Sequence, residues 1–558
     1  MRIADVDAVV VGSGCGGLIA ATKLREAGLD PLLIEKTEYV GGTAAWALGG
    51  LWFPANPLEP EAGIADSVED GLAYVEAAVG DQGPATTRAR QEAYMRGGQR
   101  LIGTLLDWGV PLRIVPDYPD YYPELPGSRL SGRILHPPMV DARRLGPWQD
   151  LVRPRPPVPF GLVVDSVPQF RALLAAGYSW PARREVARVA QNSLRLRLQG
   201  VKPLVFGQAY IGWLMLAAQQ AGVRLRTQTP LEQLIIESGQ VRGVIAGGEQ
   251  IAARHGVLLN AGGFARNLDL RNRYGPHPAS TSWTAVTPGD TGDVLIMTRN
   301  LDVATTGLDR AYWMPGIVGP DGQAVLCVAE RHLPHSILVD ASAARFTNEA
   351  TSYTQLGNNI YRRHHDVPAI PSWLVIDSQH RRKYLLGETP PRASVRRWVR
   401  SGHLKCAGTL RELAGKCGLD ADALERTVQR FNRMAEAGVD EDFRRGDSPY
   451  DRVYADPTHG PNPSLGTIAE PPFYAAKLVP TDIGMAGGLL TDEYARVLDS
   501  SGSPVEGLYA SGTTAASAFG DVYVGGGISL GQASVFGMIG AEHIAARARA
   551  AAPVGIRM

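Results

Sequence analysis

Residues 7–35 constrain the fold of this chain more tightly than any other stretch. A short apolar run, Asp7 to Val11, breaks directly into Gly12-Ser13-Gly14-Cys15-Gly16-Gly17. Apolar residues then recur at helical spacing (Leu18, Ile19, Ala21, Leu24) up to Gly28, and a second apolar run, Pro31 to Ile34, ends on Glu35. Such continuous runs are strands of a parallel sheet buried on both faces. Gly12, Gly14 and Gly17 form a GxGxxG between strand and helix, with an acid at the tip of the second strand. Gly12 makes the tight turn, Gly14 lets a pyrophosphate approach the backbone, and Gly17 lets helix and sheet pack closely. The helix N-terminus attracts phosphate, and Glu35 accepts hydrogen bonds from ribose hydroxyls. A strand–helix turn without a ligand would need no acid there. The pattern predicts an α/β fold with a Rossmann-like dinucleotide-binding domain.

More glycine turns follow. Gly41-Gly42-Thr43 comes shortly after Glu35-Lys36. The run Gly256 to Asn260 leads into Ala261-Gly262-Gly263, and Gly507 to Ser511 leads into Gly512-Thr513. No second strand–GxGxxG–helix unit occurs, so a separate nicotinamide site is not expected. Gly525, Gly527 and Gly531 imitate one, but too little chain follows them to build a βαβ unit. Both ends of the chain therefore serve one cofactor, and the middle is an insertion. The predicted division is a dinucleotide-binding part over 1–281, an inserted α+β catalytic or capping domain over 282–470, and a returning part over 471–558. A further insertion covers about 137–207. In the capping domain, Leu424, Val428, Phe431 and Met434 fall at helical spacing and read as core.

Composition narrows the partners. The chain has 558 residues with a formal net charge of zero, so no global field favours nucleic acid. The four cysteines (Cys15, Cys327, Cys406, Cys417) are far apart and form no CxxC pair, which predicts neither a metal site nor a disulfide framework. No signal-peptide pattern and no apolar run of spanning length is visible, so a cytoplasmic protein is expected. The stretch of about 160–202 is the exception. It joins an apolar run to Arg183, Arg184, Arg188, Arg195, Arg197 and Lys202 against the single acid Glu185. Peripheral membrane contact is one reading of it, and an ordinary solvated helix face is the other.

The stretch from Glu35 to Gly50, with the later glycine turns, resembles the fumarate reductase-like branch of the FAD-dependent oxidoreductases. The resemblance implies FAD, held at Gly12, Gly14, Gly17, Glu35, Lys36, Gly42, Thr43, Gly262, Gly512, Ser529 and Leu530. Dicarboxylate reductases of that branch carry an arginine shortly after an RFxNE-type motif and a histidine in an HTMGG-like one. Here the first position, counted from Arg345-Phe346-Thr347-Asn348-Glu349, is Tyr353, and the second stretch is Gly484-Met485-Ala486-Gly487-Gly488. Phenols and glycines suit a neutral ketone better than a dianion.

With "PDYY", "NEATSY" and "YVGGG", the whole chain resembles the 3-ketosteroid 1-dehydrogenases. That resemblance implies a site of Tyr121, Tyr353, Tyr523 and Gly527. Tyr523 and the Gly527 N–H would donate to the substrate's C3 carbonyl. Tyr353, helped by Tyr121, would take the C2 proton as a phenolate or nearly so. The C1 hydride would go to flavin N5. An external acceptor, quinone or dye-like, would reoxidise the flavin. Gly526 stands where the family often has proline, and "DIGMAGGL" (Asp482 to Leu489) departs from its usual motif. A flavin ene-reductase and a 4-(5α)-type dehydrogenase, on a steroid or another cyclic ketone, are the alternatives. The 4-(5α) type is expected to carry a hydroxyl two residues after Tyr523, where this chain has Gly525.

Overall fold

A computed structural model describes residues 3–155 and 161–551. Residues 156–160, which include Phe160 at the start of the basic stretch, lie outside them.

The predicted strand–turn–helix–strand forms β1 (Ile3–Val11), α1 (Cys15–Glu26) and β2 (Pro31–Ile34). β1 is central, paired in parallel with β2 on one side and with Glu249–Leu259 on the other. The sheet continues in parallel to Arg224–Arg226 beyond β2, and to Pro504–Ala510 beyond Glu249–Leu259. Val9, Val10, Leu33, Val257 and Leu258 are fully buried, as strands covered on both faces require. The long C-terminal helix Ile528–Ala551 packs on α1. Their backbones approach because each has a glycine at the crossing. A Cβ on Gly16 would overlap the Ala533 carbonyl, and one on Gly537 would overlap Gly16. This is the expected α/β, Rossmann-like dinucleotide-binding architecture with an inserted α+β domain.

The inserted domain is built on an antiparallel sheet in the order Ala324–Leu326, Gly316–Val318, Phe473–Val479, Ser372–Ile376, Ser336–Val339, with Leu404–Ala407 also on Phe473–Val479. The helix Ala421–Ala437 buries Leu424, Val428, Phe431 and Met434 against it. The boundary at 471 needs moving. Phe473–Val479 pairs with Gly316–Val318, Ser372–Ile376 and Leu404–Ala407, so it belongs to the inserted sheet. The chain rejoins the first sheet only at Arg496–Leu498 and Pro504–Ala510. An apolar strand carries no local mark of which sheet it will complete.

The basic stretch folds as two packed helices, Val167–Ala175 and Trp180–Leu198. Trp180, Leu194 and Leu198 are exposed at 63%, 56% and 80%. No helix among the described residues is long and apolar enough to cross a membrane.

Candidate active site

One cavity of about 410 Å³ runs between the nucleotide-binding sheet and the inserted domain. Among the residues predicted to hold the cofactor, Gly12, Gly14, Glu35, Lys36, Gly42, Thr43, Gly262, Gly512, Ser529 and Leu530 line it. Gly17 does not. A Cβ there would overlap the Gly12 carbonyl, so its part is the close packing of helix on turn. Gly12 sits at φ +96°, a conformation that glycine alone adopts without strain. A Cβ on Gly42 would meet nothing nearer than Gly14 Cα at 3.9 Å, so the space before these two glycines is the cavity itself.

The acid at the end of β2 is already oriented. Glu35 Oε2 accepts from Ser13 Oγ at 2.6 Å and from Ser13 N at 3.1 Å, and Oε1 accepts from Thr37 N and Thr37 Oγ1, each at 2.9 Å. These bonds tie the acid to the glycine turn and leave lone pairs for ribose hydroxyls. Lys36 Nζ reaches Thr291 Oγ1 and Asp293 Oδ2, both at 2.7 Å, which closes the outer wall. The Thr43 hydroxyl meets that of Thr287 at 3.2 Å.

At the other end of the same cavity the predicted tyrosines converge. Ring centres of Tyr121 and Tyr353 are 5.3 Å apart, those of Tyr353 and Tyr523 5.0 Å, and those of Tyr121 and Tyr523 5.8 Å. Tyr121 donates its hydroxyl hydrogen to Tyr353 at 3.2 Å. Tyr523 OH meets Ser529 Oγ at 2.9 Å. Gly527 lines the cavity beside them at φ +100°.

Each of these residues is positioned from its own surroundings. Tyr353 opens the helix Tyr353–Asp366, whose N-cap Ser352 accepts from Gln355 N at 3.3 Å. The preceding RFTNE motif is an anchor. Arg345 grips Glu349 and Asp440, and Glu349 in turn accepts from Leu338 N at 3.1 Å. The loop of Tyr121 is stitched to that of Tyr523, because the Val524 carbonyl accepts from Tyr121 N at 3.1 Å and from Tyr74 OH at 2.7 Å. Tyr122 faces away from the cavity and bonds Ser352 Oγ at 2.9 Å.

The setting disfavours ionisation of these phenols. Burial pushes Tyr353 and Tyr121 well above the ordinary tyrosine range, and the neighbouring tyrosines add to it. The expectation of a phenolate, or nearly one, at Tyr353 is thus opposed by desolvation in the free protein. The hydrogen bond from Tyr121 works the other way, because it favours the charged form of Tyr353.

Sequence reading missed several neighbours. Tyr118, Tyr450, Tyr454 and Arg331 also line the cavity. Tyr450 packs with its ring centre 4.5 Å from that of Tyr121, tilted by 44°, and Tyr118 meets Tyr454 hydroxyl to hydroxyl at 3.3 Å. The one available signal was tyrosine density, in "DYPDYY" and "PYDRVY". The basic insertion contributes too. Val167 and Phe170 line the cavity, so its inner face forms part of the cavity wall.

Gly525 is a glycine for want of space. A Cβ there would overlap the indole of Trp52, which is fully buried and donates to Asp120 at 2.7 Å. The position cannot hold the hydroxyl expected of a 4-(5α)-type site without displacing that ring. Gly525→Ser is expected to cost about 1–3 kcal/mol, typical of overpacking, read as a lower Tm of the holoenzyme.

A family described as FAD binding domain matches residues 7–530. The 3-oxosteroid 1-dehydrogenase of Mycobacterium tuberculosis (strain H37Rv) is 37% identical over 98% of this chain and 100% of its own. The chain belongs to the 3-ketosteroid 1-dehydrogenase family. It is an FAD-dependent oxidoreductase. The crystal structure of a 3-ketosteroid Δ1-dehydrogenase from Sterolibacterium denitrificans, in complex with 1,4-androstadiene-3,17-dione, matches with a TM-score of 0.90 at 35% identity, covering 97% of this chain and 100% of that one. A 4-oxocyclohexanecarboxylate 2-dehydrogenase of Sinomonas cyclohexanicum is 33% identical over 97% of this chain and 93% of its own. The glycine cradle and the oriented acid fit FAD.

Proposed function

We propose that this protein introduces a C1–C2 double bond into a 3-ketosteroid. The observation that carries the reading is the meeting of Tyr121, Tyr353, Tyr523 and Gly527 in the cavity that also holds the dinucleotide-binding glycines. FAD would be held by the turn glycines Gly12 and Gly14, by Glu35, Lys36, Gly42 and Thr43, and by Gly262, Gly512, Ser529 and Leu530, while Gly17 lets the helix close on the turn. When bound, FAD supplies the acceptor for the C1 hydride.

The remaining chemistry falls to side chains and backbone. Tyr523 O–H and Gly527 N–H donate to the C3 carbonyl and stabilise the charge that builds on it, as oxyanion donors do. That acidifies the C2 hydrogens. Tyr353 takes the proton, with the Tyr121 hydroxyl donating to its oxygen. Ser529 holds the Tyr523 hydroxyl in place. The rings of the substrate lie against Val167, Phe170, Phe206, Met314, Leu326 and Ile483, a mainly apolar wall. That wall favours a multi-ring ketone over a dianion. An external acceptor of quinone type takes the electrons afterwards. The exposed Trp180, Leu194 and Leu198 among arginines support peripheral contact of the insertion with an anionic membrane.

Holoenzyme incubated with androst-4-ene-3,17-dione and an artificial acceptor is expected to yield the 1,4-diene. Absence of both product and anaerobic flavin bleaching rejects the reading. Faster reduction of the dienone by reduced dye than oxidation of the enone, at comparable driving force, replaces it with an ene-reductase.

A further inference from the structure

One cation in the cavity wall has no anion to answer it. Lys36, Arg153, Arg155 and Arg331 all line the cavity. Lys36 pairs with Asp293 at 2.7 Å. Arg153 donates to Thr37 Oγ1 at 2.6 Å and feels the charges of Glu35 and Glu38. Arg331 donates to the carbonyls of Glu349 and Thr351. Arg155 is half-buried, and its Nη1 is buried with no hydrogen-bond partner among the described residues. Burial pulls it below the ordinary arginine range, and no charged neighbour offsets that cost. Residues 156–160, which follow it, contain no acid in their sequence.

Phe206 sets the place of this arginine. The Arg155 guanidinium carbon lies 5.4 Å from the centre of that ring. Phe206 in turn meets Phe170 edge-on, with ring centres 6.4 Å apart, and both line the cavity. One dipeptide joins this wall to the ketone end. A Cβ on Gly49 would overlap the Phe206 carbonyl, and a Cβ on Gly527 would overlap the Gly50 carbonyl. Gly49-Gly50 therefore reaches from the proposed oxyanion donor to Phe206, and Arg155 stands on the far side of that ring contact. The nucleotide end is elsewhere, since Arg153 feels the ribose acid Glu35 and Arg155 does not. His136, the other polar group against Phe206, has its ring centre 5.5 Å away. Burial pulls His136 down to about 4, so it is neutral at pH 7 and brings no competing charge. The contact with Phe206 holds the guanidinium in place but leaves its N–H donors free.

We propose that Arg155 is a subsite for a carboxylate on the side chain of the steroid, at the end of the molecule opposite the C3 ketone. This rests on the function proposed above and narrows its substrate class to 3-ketosteroid acids. The guanidinium offers two parallel N–H donors to the two carboxylate oxygens, a match in geometry as well as charge. The ketone is then gripped at one end of the cavity and the acid at the other. The apolar wall between them, with Val167, Phe170 and Phe206, takes the fused rings. A neutral side chain leaves the buried guanidinium unpaired, and that penalty is what discriminates against it.

The test compares three substrates on holoenzyme: 3-oxopregn-4-ene-20-carboxylate, its methyl ester, and androst-4-ene-3,17-dione. Wild type is expected to favour the acid over the ester by about 10-fold or more in kcat/KM, mainly through KM, as a hydrogen bond to a charged group provides. Arg155→Met keeps the apolar stem without the charge, and should bring the acid-to-ester ratio close to unity. Arg155→Lys keeps the charge without the planar fork, and should restore part of the ratio. Titrating the oxidised flavin spectrum with the 1,4-diene acid should show the same weakening in Arg155→Met without any turnover. Three results overturn the subsite: no preference for the acid in wild type, equal losses on acid and ester in Arg155→Met, or release of FAD from that variant, which would give the arginine to the cofactor. If wild type converts the dione but does not favour the acid, only the subsite fails. If it converts none of the three, the proposed function itself fails.

Discussion

Tyr353→Phe is expected to lower turnover of a 3-ketosteroid by about 10²–10⁴-fold, the usual contribution of a positioned general base. The loss should fall on kcat rather than on KM. Phenylalanine keeps the ring that packs 5.3 Å from Tyr121 and 5.0 Å from Tyr523, so the apolar contacts with substrate survive. The residue opens its helix, but the cap is the Ser352 hydroxyl, which the substitution does not touch. FAD content and Tm should therefore stay near wild type. Uptake of deuterium at C2 should fall together with turnover. Retained exchange with lost turnover would move the base elsewhere in the phenol cluster. Unchanged turnover would remove Tyr353 from the chemistry.

Gly527→Ala is expected to be nearly as damaging, for a different reason. The backbone at Gly527 sits at φ +100°, which side-chain-bearing residues rarely adopt. A Cβ there would overlap the Gly50 carbonyl, so the loop must shift. The shift takes the Gly527 N–H off the line to the C3 oxygen that the proposed function gives it. Removing one such donor costs about 10²–10³ in kcat. Tm should fall as well, because the clash is with backbone rather than with a flexible side-chain end. Gly526→Ala is the control. Its Cβ would lie 3.1 Å from Ile134 Cδ1 and 3.4 Å from the Tyr121 hydroxyl, contacts that small side-chain adjustments relieve. That variant should lose far less kcat and show its effect mainly in KM. Equal losses at both positions would argue for a general fragility of the loop and against a donor at Gly527.

The dinucleotide site was legible because its information is local. Gly12, Gly14 and Glu35 lie within one strand–turn–helix–strand unit, where spacing alone sets which atoms face the ligand. Tyr121, Tyr353 and Tyr523 were named only through resemblance, since no periodicity links positions so far apart. Tyr118, Tyr450 and Tyr454 escaped because buried tyrosines at such spacing ordinarily serve as core. The inserted domain was placed correctly in kind, but its end was drawn too early at Phe473–Val479, a strand whose partners are fixed by tertiary pairing.

By itself the sequence determined the nucleotide fold, a dinucleotide as its ligand and the positions where backbone must pass without a side chain. These follow from strand and helix periodicity and from glycine geometry, which act over a few residues. Only the tertiary structure decided what the phenols can do. Tyr121 reaches Tyr353 because the Val524 carbonyl ties its loop to that of Tyr523. It also decided that the basic insertion presents Val167 and Phe170 to the site, besides presenting arginines to solvent. Contacts between distant segments set burial and the charges around a hydroxyl, and those two quantities decide whether a tyrosine is a wall or a base.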